Sequence, residues 1–408
     1  INMMNISIIG AGYVGLITGV GFAKLGNQVS IVDLNDDLIQ KLNHNQIPFY
    51  EPDLEDYIKN LEVVENMSFY SDYESSIDKK TDIVFVCVQT PTDLETGKTD
   101  TKYLKNVLDK LNNFKNYDFT ICIKSTVNNK LIQNICEEIN LDYEKIIFNP
   151  EFLREGSALF DFFNPDRIVI GGSNKNSLDK CLKLYESFEC EKIITDSISS
   201  QIIKYLSNTY LAMRLSFVNE TFKLASEFGG NPNQILEAIG KDNRIGNHYF
   251  RPSPGWGGSC FPKDVKEVTN YFQHDYQSPL ISKIIESNES HMDWFADYLL
   301  LNLKEKNLSK IILIGAPFKE NTDDIRESPT LKIYDRLVNK FQNTFILDLN
   351  VKLASEYKLL ESIEDLEEDT LYVEMFPDSS NERLELLKKV YKLKNNHVVK
   401  MWESFWMY

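Results

Sequence analysis

The sequence predicts an α/β protein in which two doubly wound parallel sheets are joined by a long central helix and a helical dimerisation region. Three features predict this class. Short β-branched runs alternate with helical patterns in the N-terminal third, the alternation starts again near residue 303, and an unbroken helical pattern lies between them. Strands separated by helices are typical of parallel sheets built from βαβ units. We therefore predict domains over residues 1–195, 196–302 and 303–408.

The first predicted sheet consists of short apolar runs. The run I-V-F-V-C-V is apolar throughout, as expected for a strand that is buried on both faces of a sheet. The predicted strands are Ile6–Ile9, Gln28–Asp33, Ile83–Val88, Phe119–Lys124, Lys145–Phe148 and Arg167–Ile170.

The central helical pattern is unusually long. No Gly or Pro occurs from Ser199 to Phe228, and apolar residues recur at helical spacing. Asp196 or Ser197 is suited to cap the N-terminus, and Gly229-Gly230 to end the helix. A helix of about 45 Å often crosses between domains or packs in a dimer. A Gly- and Pro-rich loop, Arg251–Lys263, follows, and then more helix.

The last part of the chain repeats the α/β pattern. We predict strands at Lys310–Gly315, Thr344–Asp348, Leu371–Phe376 and His397–Met401, with a helix at Pro329–Val338. The sequence D-L-N occurs at 33–35 and again at 348–350, in equivalent places of two strand–helix–strand units. The repeat favours a second doubly wound domain.

Composition limits the classes of partner. Among the 408 residues, 44 basic and 61 acidic side chains give a net charge of −17, which repels nucleic acids and anionic membranes. An anionic ligand must therefore meet a local basic pocket. Six cysteines without a C-x-x-C pair indicate reduced thiols, and five scattered histidines have no metal-ligand spacing. We expect a cytoplasmic protein with no nucleic-acid, membrane or metal partner.

A glycine-rich motif follows the first predicted strand and opens a helix. Gly10, Gly12 and Gly15 form G-x-G-x-x-G, which permits a tight turn, close approach of a pyrophosphate and close helix–strand packing. The helix N-terminus favours the phosphate. Asp33 ends the second strand, where a carboxylate receives two ribose hydroxyls and repels a 2′-phosphate. This combination predicts a Rossmann-like domain that binds NAD rather than NADP.

The segment Gly257–Asp264 predicts chemistry beyond cofactor binding. An isolated cysteine is more often inert, but Cys260 lies in a Gly-rich loop beside Lys263, where a cation stabilises a thiolate. An aldehyde cannot lose hydride to reach the acid level until a fourth substituent is added. A thiolate supplies that substituent, and a thioester remains for water to cleave. The loop therefore points to oxidation past the alcohol.

Two further pairs of side chains lie four residues apart. Lys204 and Asn208 share one face of the long helix, where they are either a solvated pair or a cation and an amide that stabilise an oxyanion. For Glu151 and Glu155, which lie close to Asp166 and Arg167, the pattern alone favours solvated carboxylates over a site. Spacing by itself leaves both alternatives open.

At these residues the chain resembles the UDP-glucose/GDP-mannose dehydrogenases, nearly from end to end. The resemblance implies two NAD-dependent oxidations of a nucleotide-sugar C6 alcohol to a carboxylate. The substrate that it favours most is UDP-glucose. The segments that carry it are Gly10–Gly15 with Asp33, Val88–Thr92, Lys124–Val127, Asn149–Glu155, Lys204 with Asn208, Arg244–Gly246, Gly257–Asp264 and Phe318–Arg326.

The resemblance also implies roles for individual residues. The implied catalytic set is Cys260 as nucleophile, Lys204 and Asn208 for the oxyanion, and Asp264, Thr126, Glu151 and Glu155 for water. The implied cofactor set is Gly10, Gly12, Tyr13, Val14, Gly15, Asp33, Thr90, Thr126, Glu155, Lys263 and Arg326. The implied substrate set is Glu151, Phe152, Leu153, Arg154, Lys204, Asn208, Arg244 from a partner subunit of a homodimer, Tyr249, Phe250, Arg251, Ser253, Gly257, Phe318 and Lys319.

Departures from the family pattern leave the exact substrate open. The usual late Asp-x-Arg element is missing, and Val399–Trp402 stands there instead. Relatives that act on N-acetylated sugars usually lack Phe261–Asp264, so the resemblance favours glucose or mannose over an N-acetylhexosamine. GDP-mannose is therefore the next candidate, and UDP-N-acetylhexosamines follow. A single-step hydroxyacid dehydrogenase also carries a helix Lys with an Asn four residues later. A NAD(H)-binding sensor is the non-enzymatic alternative.

Overall fold

The computed structural model describes residues 3–93, 95–271 and 278–402. The chain divides into two compact units, residues 1–206 and 207–408. The three-domain division at 195 and 302 stays a prediction. Within the described residues, every helix is too short or too polar to cross a bilayer.

The first unit is built on an eight-stranded sheet. Its strands are β1 (Asn5–Ile9), β2 (Gln28–Val32), β3 (Met67–Tyr70), β4 (Ile83–Val86), β5 (Thr120–Ile123), β6 (Ile146–Phe148), β7 (Arg167–Gly171) and β8 (Glu191–Thr195). The order is β3-β2-β1-β4-β5-β6-β7-β8, and every pairing is parallel except that of β6 with β7. This is the predicted doubly wound arrangement, in which ligands bind outside the carboxyl ends of the strands.

Nine helices of the described residues surround this sheet. The first of them is almost fully buried from Gly15 to Ala23 and packs on the sheet, because small residues permit close approach. A Cβ at Gly19, for example, would lie 2.5 Å from the Ile31 side chain of β2. The helices are α1 (Tyr13–Lys24), α2 (Asp36–Asn43), α3 (Leu54–Ile58), α4 (Leu61–Asn66), α5 (Tyr73–Ser76), α6 (Lys102–Asn112), α7 (Asn129–Ile139), α8 (Ala158–Phe163) and α9 (Lys175–Leu184).

The long helix α10 (Ser197–Glu227) begins in the first unit and ends in the second. Its predicted N-terminal cap is confirmed, since Asp196 accepts hydrogen bonds from both the amide and the hydroxyl of Ser199 at 2.8 and 2.7 Å. These bonds lower the pKa of Asp196. The helix contains 31 residues, close to the predicted extent.

The second unit carries a five-stranded, all-parallel sheet. Its strands are β9 (Lys310–Ile314), β10 (Thr344–Leu347), β11 (Leu359–Leu360), β12 (Thr370–Glu374) and β13 (His397–Val399), in the order β11-β10-β9-β12-β13. The helices that follow α10 are α11 (Pro232–Gly240), α12 (Phe261–Tyr271), α13 (Pro279–Ser282), α14 (Ile284–Glu305), α15 (Pro329–Val338) and α16 (Asn381–Val390).

The repeated D-L-N sequence marks equivalent geometry in the two sheets. Asp33 accepts a hydrogen bond from the Ala11 amide at 2.9 Å, and Asp348 accepts one from the Ala316 amide at 2.8 Å. The glycine before each alanine has a positive φ, +105° at Gly10 and +101° at Gly315. The prediction of a second doubly wound sheet is therefore confirmed.

The sequence patterns did not predict β3, β8 or β11. All three lie at the edge of a sheet, where burial is incomplete and the apolar pattern is weak. The predicted strands were otherwise found, with ends that differ by one or two residues.

Candidate active site

The glycine motif forms a tight turn between β1 and α1. A Cβ at Gly10 would lie 2.9 Å from the Cys87 carbonyl oxygen, and one at Gly15 only 1.9 Å from the Gly10 carbonyl oxygen. The close contacts are therefore sufficient to require glycine at both positions. Val14 lies in the first turn of α1 and is half-buried.

Gly12 differs from its two neighbours because no atom lies within 4 Å of the position its Cβ would take. It occupies the N-cap of α1, and no side chain caps this helix end. The first-turn amides thus face a space that accepts an anion, with the helix dipole behind it. This cradle fits the pyrophosphate of a dinucleotide such as NAD.

Asp33 lies at the carboxyl end of β2, beside the glycine turn. Its Oδ2 accepts from the Ala11 amide at 2.9 Å and its Oδ1 from the Asn35 amide at 3.0 Å. These bonds fix the carboxylate while it remains partly exposed. The predicted ribose carboxylate is thus next to the predicted phosphate cradle.

Two predicted cofactor-side threonines are brought together by the loops after β4 and β5. The Thr90 hydroxyl donates to the Thr126 carbonyl oxygen at 2.8 Å, and the Ser125 hydroxyl donates to the Val88 carbonyl oxygen at 2.7 Å. The neighbouring Lys124 is buried, and burial lowers its pKa. The two loops consequently form one hydrogen-bonded edge.

Lys204 and Glu151 form a buried ion pair. The Lys204 ammonium lies 3.0 Å from Glu151 Oε1, and the two side chains are 3% and 10% exposed. Glu151 Oε2 accepts from the Leu153 amide at 2.6 Å, which closes a turn in this segment. The burial of Lys204 excludes the solvated alternative that its helical position left open.

Neighbouring residues of the same segment take different environments. The Arg167 guanidinium stacks 3.8 Å from the centre of the Phe152 ring, and the Lys204 ammonium lies 5.4 Å from it. Arg154 is exposed and makes an ion pair with Asp161 at 2.5 Å. The Phe152 ring thus lies near two cations, both of which are attracted to the negative face of an aromatic ring.

Sequence reasoning missed Glu51, which has a central place in the first unit. It is 5% exposed and accepts hydrogen bonds from the Tyr13 hydroxyl and from the amides of Gly156 and Ala158. Burial first, and then the hydrogen bond to Glu51, raises the pKa of Tyr13 far above its ordinary value. In the sequence, Glu51 stands out only as the residue before Pro52, and this position gives no indication of its contacts.

In the second unit, Cys260 lies immediately before the first residue of α12. Its side chain is exposed, and its sulfur lies 3.5 Å from the Ser259 hydroxyl. The Cys260 carbonyl accepts the Asp264 amide at 2.9 Å, which places the cysteine at the start of an 11-residue helix. A helix N-terminus stabilises a thiolate. The predicted nucleophile is thus accessible and favourably placed.

The neighbours of Cys260 form a buried polar group. The Asn208 amide donates to Asp264 Oδ2 at 2.6 Å, and the two residues are 8% and 2% exposed. The Lys263 ammonium lies 3.7 Å from Asp264 Oδ1 and 3.8 Å from Glu267 Oε1. The structure therefore brings together Asn208, Lys263 and Asp264.

The loop before Cys260 is fixed by side chains of α14. Asn288 accepts the Trp256 amide at 3.0 Å and donates to its carbonyl at 2.8 Å. The His291 ring nitrogen Nε2 lies 2.9 Å from the Ser253 carbonyl oxygen, and burial lowers the pKa of His291 to about 4. Helical periodicity gave no reason to single out Asn288 or His291.

Residues near Phe318 contact the same glycine loop. The Gly258 amide donates to the Arg326 carbonyl at 3.0 Å, and a Cβ at Gly257 would lie 1.9 Å from the Glu327 carbonyl oxygen. The Phe318 ring lies over Gly258, and the Lys319 ammonium is 5.6 Å from the ring centre. The segment 318–327 thus packs on the cysteine loop.

Four more predicted substrate residues lie in the preceding segment. Arg251 pairs with Glu320 at 3.3 Å, and Tyr249 has a φ of +54°, which a non-glycine residue rarely adopts. Phe250 is 2% exposed and belongs to the hydrophobic core, so direct contact with a ligand stays a prediction. Arg244 is 89% exposed and pairs with Asp242.

Comparison with known proteins gives a consistent result. The NAD binding domain of the UDP-glucose/GDP-mannose dehydrogenase family matches residues 4–189, its central domain 198–290 and its UDP binding domain 312–376. A UDP-glucose 6-dehydrogenase of Rickettsia felis is 37% identical over 83% of this chain and 76% of its own length. The chain belongs to the UDP-glucose/GDP-mannose dehydrogenase family. It is an NAD-dependent oxidoreductase of nucleotide sugars.

Two further relatives agree with this family. A UDP-glucose 6-dehydrogenase of Bacillus subtilis is 34% identical over 82% of this chain and 74% of its own length. The solved structure of a UDP-glucose dehydrogenase from Pyrobaculum islandicum superposes with a TM-score of 0.85, at 28% identity and with 98% of both chains covered. The predicted family, fold class and NAD cofactor are therefore confirmed.

Proposed function

We propose that the chain oxidises the C6 alcohol of UDP-glucose to the carboxylate in two NAD-dependent steps. The names of relatives that are 32–38% identical support this sugar nucleotide. The observation that carries the second oxidation is the exposed Cys260 at the start of α12, beside buried Asn208 and Asp264.

The proposed chemistry uses Cys260 as a nucleophile. The C6 alcohol first loses a proton and a hydride to give an aldehyde. The thiolate adds to the aldehyde carbon, loss of a second hydride leaves a thioester, and water cleaves the C–S bond to release the carboxylate and regenerate the thiol. NAD bound at the Gly12 cradle supplies the hydride acceptor for each oxidation. In total, one alcohol and one water are consumed, two hydrides are transferred to two molecules of NAD, and three protons are released with the carboxylate.

Lys204 and Asn208 supply the cation and the amide for the oxyanion that forms when the thiolate adds. Lys204 is 3% exposed, so its charge acts in a medium of low dielectric constant. Glu151 or Glu155, Asp264 and Thr126 position or activate the hydrolytic water.

The remaining predicted residues bind the two ligands. We propose the cofactor contacts Gly10, Gly12, Tyr13, Val14, Gly15, Asp33, Thr90, Thr126, Glu155, Lys263 and Arg326. We propose the substrate contacts Glu151, Phe152, Leu153, Arg154, Lys204, Asn208, Arg244, Tyr249, Phe250, Arg251, Ser253, Gly257, Phe318 and Lys319. Several of these are cations, which an anionic nucleotide requires in a chain of net charge −17.

The test is a substrate panel read by NADH absorbance and product analysis. UDP-glucose, GDP-mannose and UDP-N-acetylhexosamines are each incubated with NAD. The proposal expects two NADH per UDP-glucose consumed and a carboxylate product. One NADH per sugar indicates a single-step dehydrogenase, and NADH binding without turnover on any sugar nucleotide indicates a sensor. Faster turnover of GDP-mannose moves the assignment to that sugar.

We also propose a homodimer that forms through α10. Six apolar side chains on one face of this helix are each more than 40% exposed in the single chain. They are Ile198, Ile202, Leu206, Tyr210, Phe217 and Leu224. Arg214 of the same helix donates to the carbonyls of Ile245 and Gly246, which ties the Arg244 segment to this face.

All six cysteines are free thiols, which supports action in the cytoplasm.

Light scattering at micromolar concentration tests the dimer. Replacing Phe217 and Leu224 together by aspartate is expected to give a monomer, since two charges on an apolar interface lose their hydration. Leu384→Asp is the matched control, because Leu384 is 45% exposed on α16. A wild-type monomer refutes the proposal.

A further inference from the structure

Glu51 joins two segments of the first unit that are far apart in the sequence. Its Oε2 accepts the Tyr13 hydroxyl at 2.6 Å and the Gly156 amide at 2.8 Å. Its Oε1 accepts the Ala158 amide at 2.7 Å. One carboxylate thus connects the residue after Gly12 with the backbone directly after Glu155.

The contacts of Glu51 are those of a fixed structural charge. The side chain is 5% exposed, and the three donors that satisfy it are a hydroxyl and two amides. Buried carboxylates are stable only where several donors compensate the lost hydration. Loss of one donor therefore changes the geometry and strength of the remaining hydrogen bonds. A displacement of the Tyr13 hydroxyl therefore affects the Gly156 amide through Oε2, which both groups share. It affects the Ala158 amide through Oε1 of the same carboxylate.

Tyr13 remains a hydrogen-bond donor at every working pH. Burial and the hydrogen bond to Glu51 raise its pKa far above the ordinary value, so the hydroxyl stays protonated. The ring packs against Phe49 with centres 5.0 Å apart, which limits its movement. Tyr13 is also the first residue of α1, next to the open cradle at Gly12.

We propose that Glu51 is a positioning residue that couples occupation of the dinucleotide cradle to the geometry of the segment carrying Glu151 and Glu155. This inference rests on the proposed function, which assigns one of these two glutamates to the hydrolytic water. Glu51 acts through Tyr13 on one side and through Gly156 and Ala158 on the other.

Hydrogen exchange of the peptide 151–159 tests the coupling without any sugar substrate. The full-length wild type is compared with Glu51→Gln and Tyr13→Phe, each with and without saturating NADH. Glu51→Gln leaves one of the two amides facing an NH₂ group, so its exchange is expected to be at least about tenfold faster than in the wild type. Tyr13→Phe keeps both amide bonds but cuts the link to the cradle.

The results separate coupling from simple stability. We expect NADH to slow exchange of the Gly156 and Ala158 amides more in the wild type than in Tyr13→Phe at saturating NADH, because a direct contact of NADH with Glu155 is common to both proteins and only the path through Tyr13 differs. Glu55→Gln, which removes an exposed carboxylate of the neighbouring α3, is the matched control and is expected to behave as the wild type. Slowing by NADH in Tyr13→Phe equal to that in the wild type overturns the proposal, as does wild-type exchange in Glu51→Gln. If Glu51→Gln does not fold, Tyr13→Phe alone decides.

Steady-state kinetics give a second readout. Tyr13→Phe is expected to raise KM for NAD more than it lowers kcat, whereas Glu51→Gln lowers kcat more than it raises KM, because it also releases the glutamate segment. Equal effects of both variants on kcat and KM contradict the proposal. If the wild type oxidises no sugar nucleotide, the proposed function fails, but the exchange experiment still decides the role of Glu51.

Discussion

Alanine substitutions in the glycine motif separate cofactor binding from stability. Gly12 has φ −74° and ψ −169°, which alanine adopts, and the position of its Cβ has no neighbour within 4 Å. Gly15 has the opposite environment, since its Cβ would lie 1.9 Å from the Gly10 carbonyl oxygen. The same chemical change is therefore expected to damage binding at one position and folding at the other.

For Gly12→Ala, two small effects on the protein without cofactor oppose each other. Alanine is a weaker N-cap by roughly 0.5–1 kcal/mol, while it restricts the unfolded chain by about 0.4–1 kcal/mol. The free energy of unfolding should consequently change by less than about 0.5 kcal/mol. The methyl group occupies the phosphate cradle, and loss of one charge-assisted hydrogen bond, about 1.5–3 kcal/mol, raises the Kd for NADH by roughly 10- to 150-fold.

In Gly15→Ala, the new Cβ overlaps the Gly10 carbonyl oxygen. The position of the Cβ is set by the backbone and the oxygen belongs to the backbone, so neither can rotate away. Overpacking of this kind lowers the free energy of unfolding by about 1–3 kcal/mol or more. Denaturant titration without ligand and NADH fluorescence titration measure the two quantities. A Gly12→Ala protein that is destabilised as much as Gly15→Ala, or that binds NADH as tightly as the wild type, refutes the reasoning.

Further predictions concern buried groups. His291 is neutral when folded, because burial lowers its pKa from 6.5 to about 4, so the unfolded chain binds the extra proton between these values. Stability is full above pH 6.5 and falls by up to about 3 kcal/mol as the pH drops to 4; His291→Gln should lose this dependence in denaturant titrations. Lys204→Met leaves the Glu151 carboxylate without its ammonium partner and should lower the free energy of unfolding by about 3–5 kcal/mol, a loss that Lys204→Met/Glu151→Leu largely restores. Asn288→Ala removes both hydrogen bonds to the Trp256 backbone, which hold the cysteine loop in place. We expect kcat to fall even at temperatures well below the Tm of the variant, where the protein is fully folded. An unchanged kcat would contradict that role.

Periodicity and motif spacing predicted the elements whose burial is complete. The run at β4 is apolar throughout because both faces of the strand are covered, and the limits of α15 were predicted to the residue. Edge strands such as β3 and β8 were missed, because their side chains are only partly buried. A sequence pattern reports burial, and it weakens where burial does.

Contacts between distant segments were beyond the reach of the sequence. The spacing of Lys204 left a solvated lysine as the alternative, and only the fold shows that Glu151 lies against it, 53 positions earlier in the chain. Glu51 and Asn288 likewise act through backbone groups of remote loops, and nothing in their own neighbourhood in the sequence indicates those partners. Motifs singled out the candidate reactive groups, whereas the side chains that hold them were found only in the structure.

The proposed covalent mechanism depends most on the sulfur of Cys260, and Cys260→Ser tests it most directly, with Cys190→Ser as a control at a partly exposed free thiol. NADH formed and carboxylate released per UDP-glucose are measured for both variants and the wild type. We predict that Cys190→Ser yields two NADH and UDP-glucuronate as the wild type does, whereas Cys260→Ser yields at most one NADH and releases no carboxylate on the same timescale. Two NADH per sugar from Cys260→Ser at the wild-type rate would contradict the covalent mechanism.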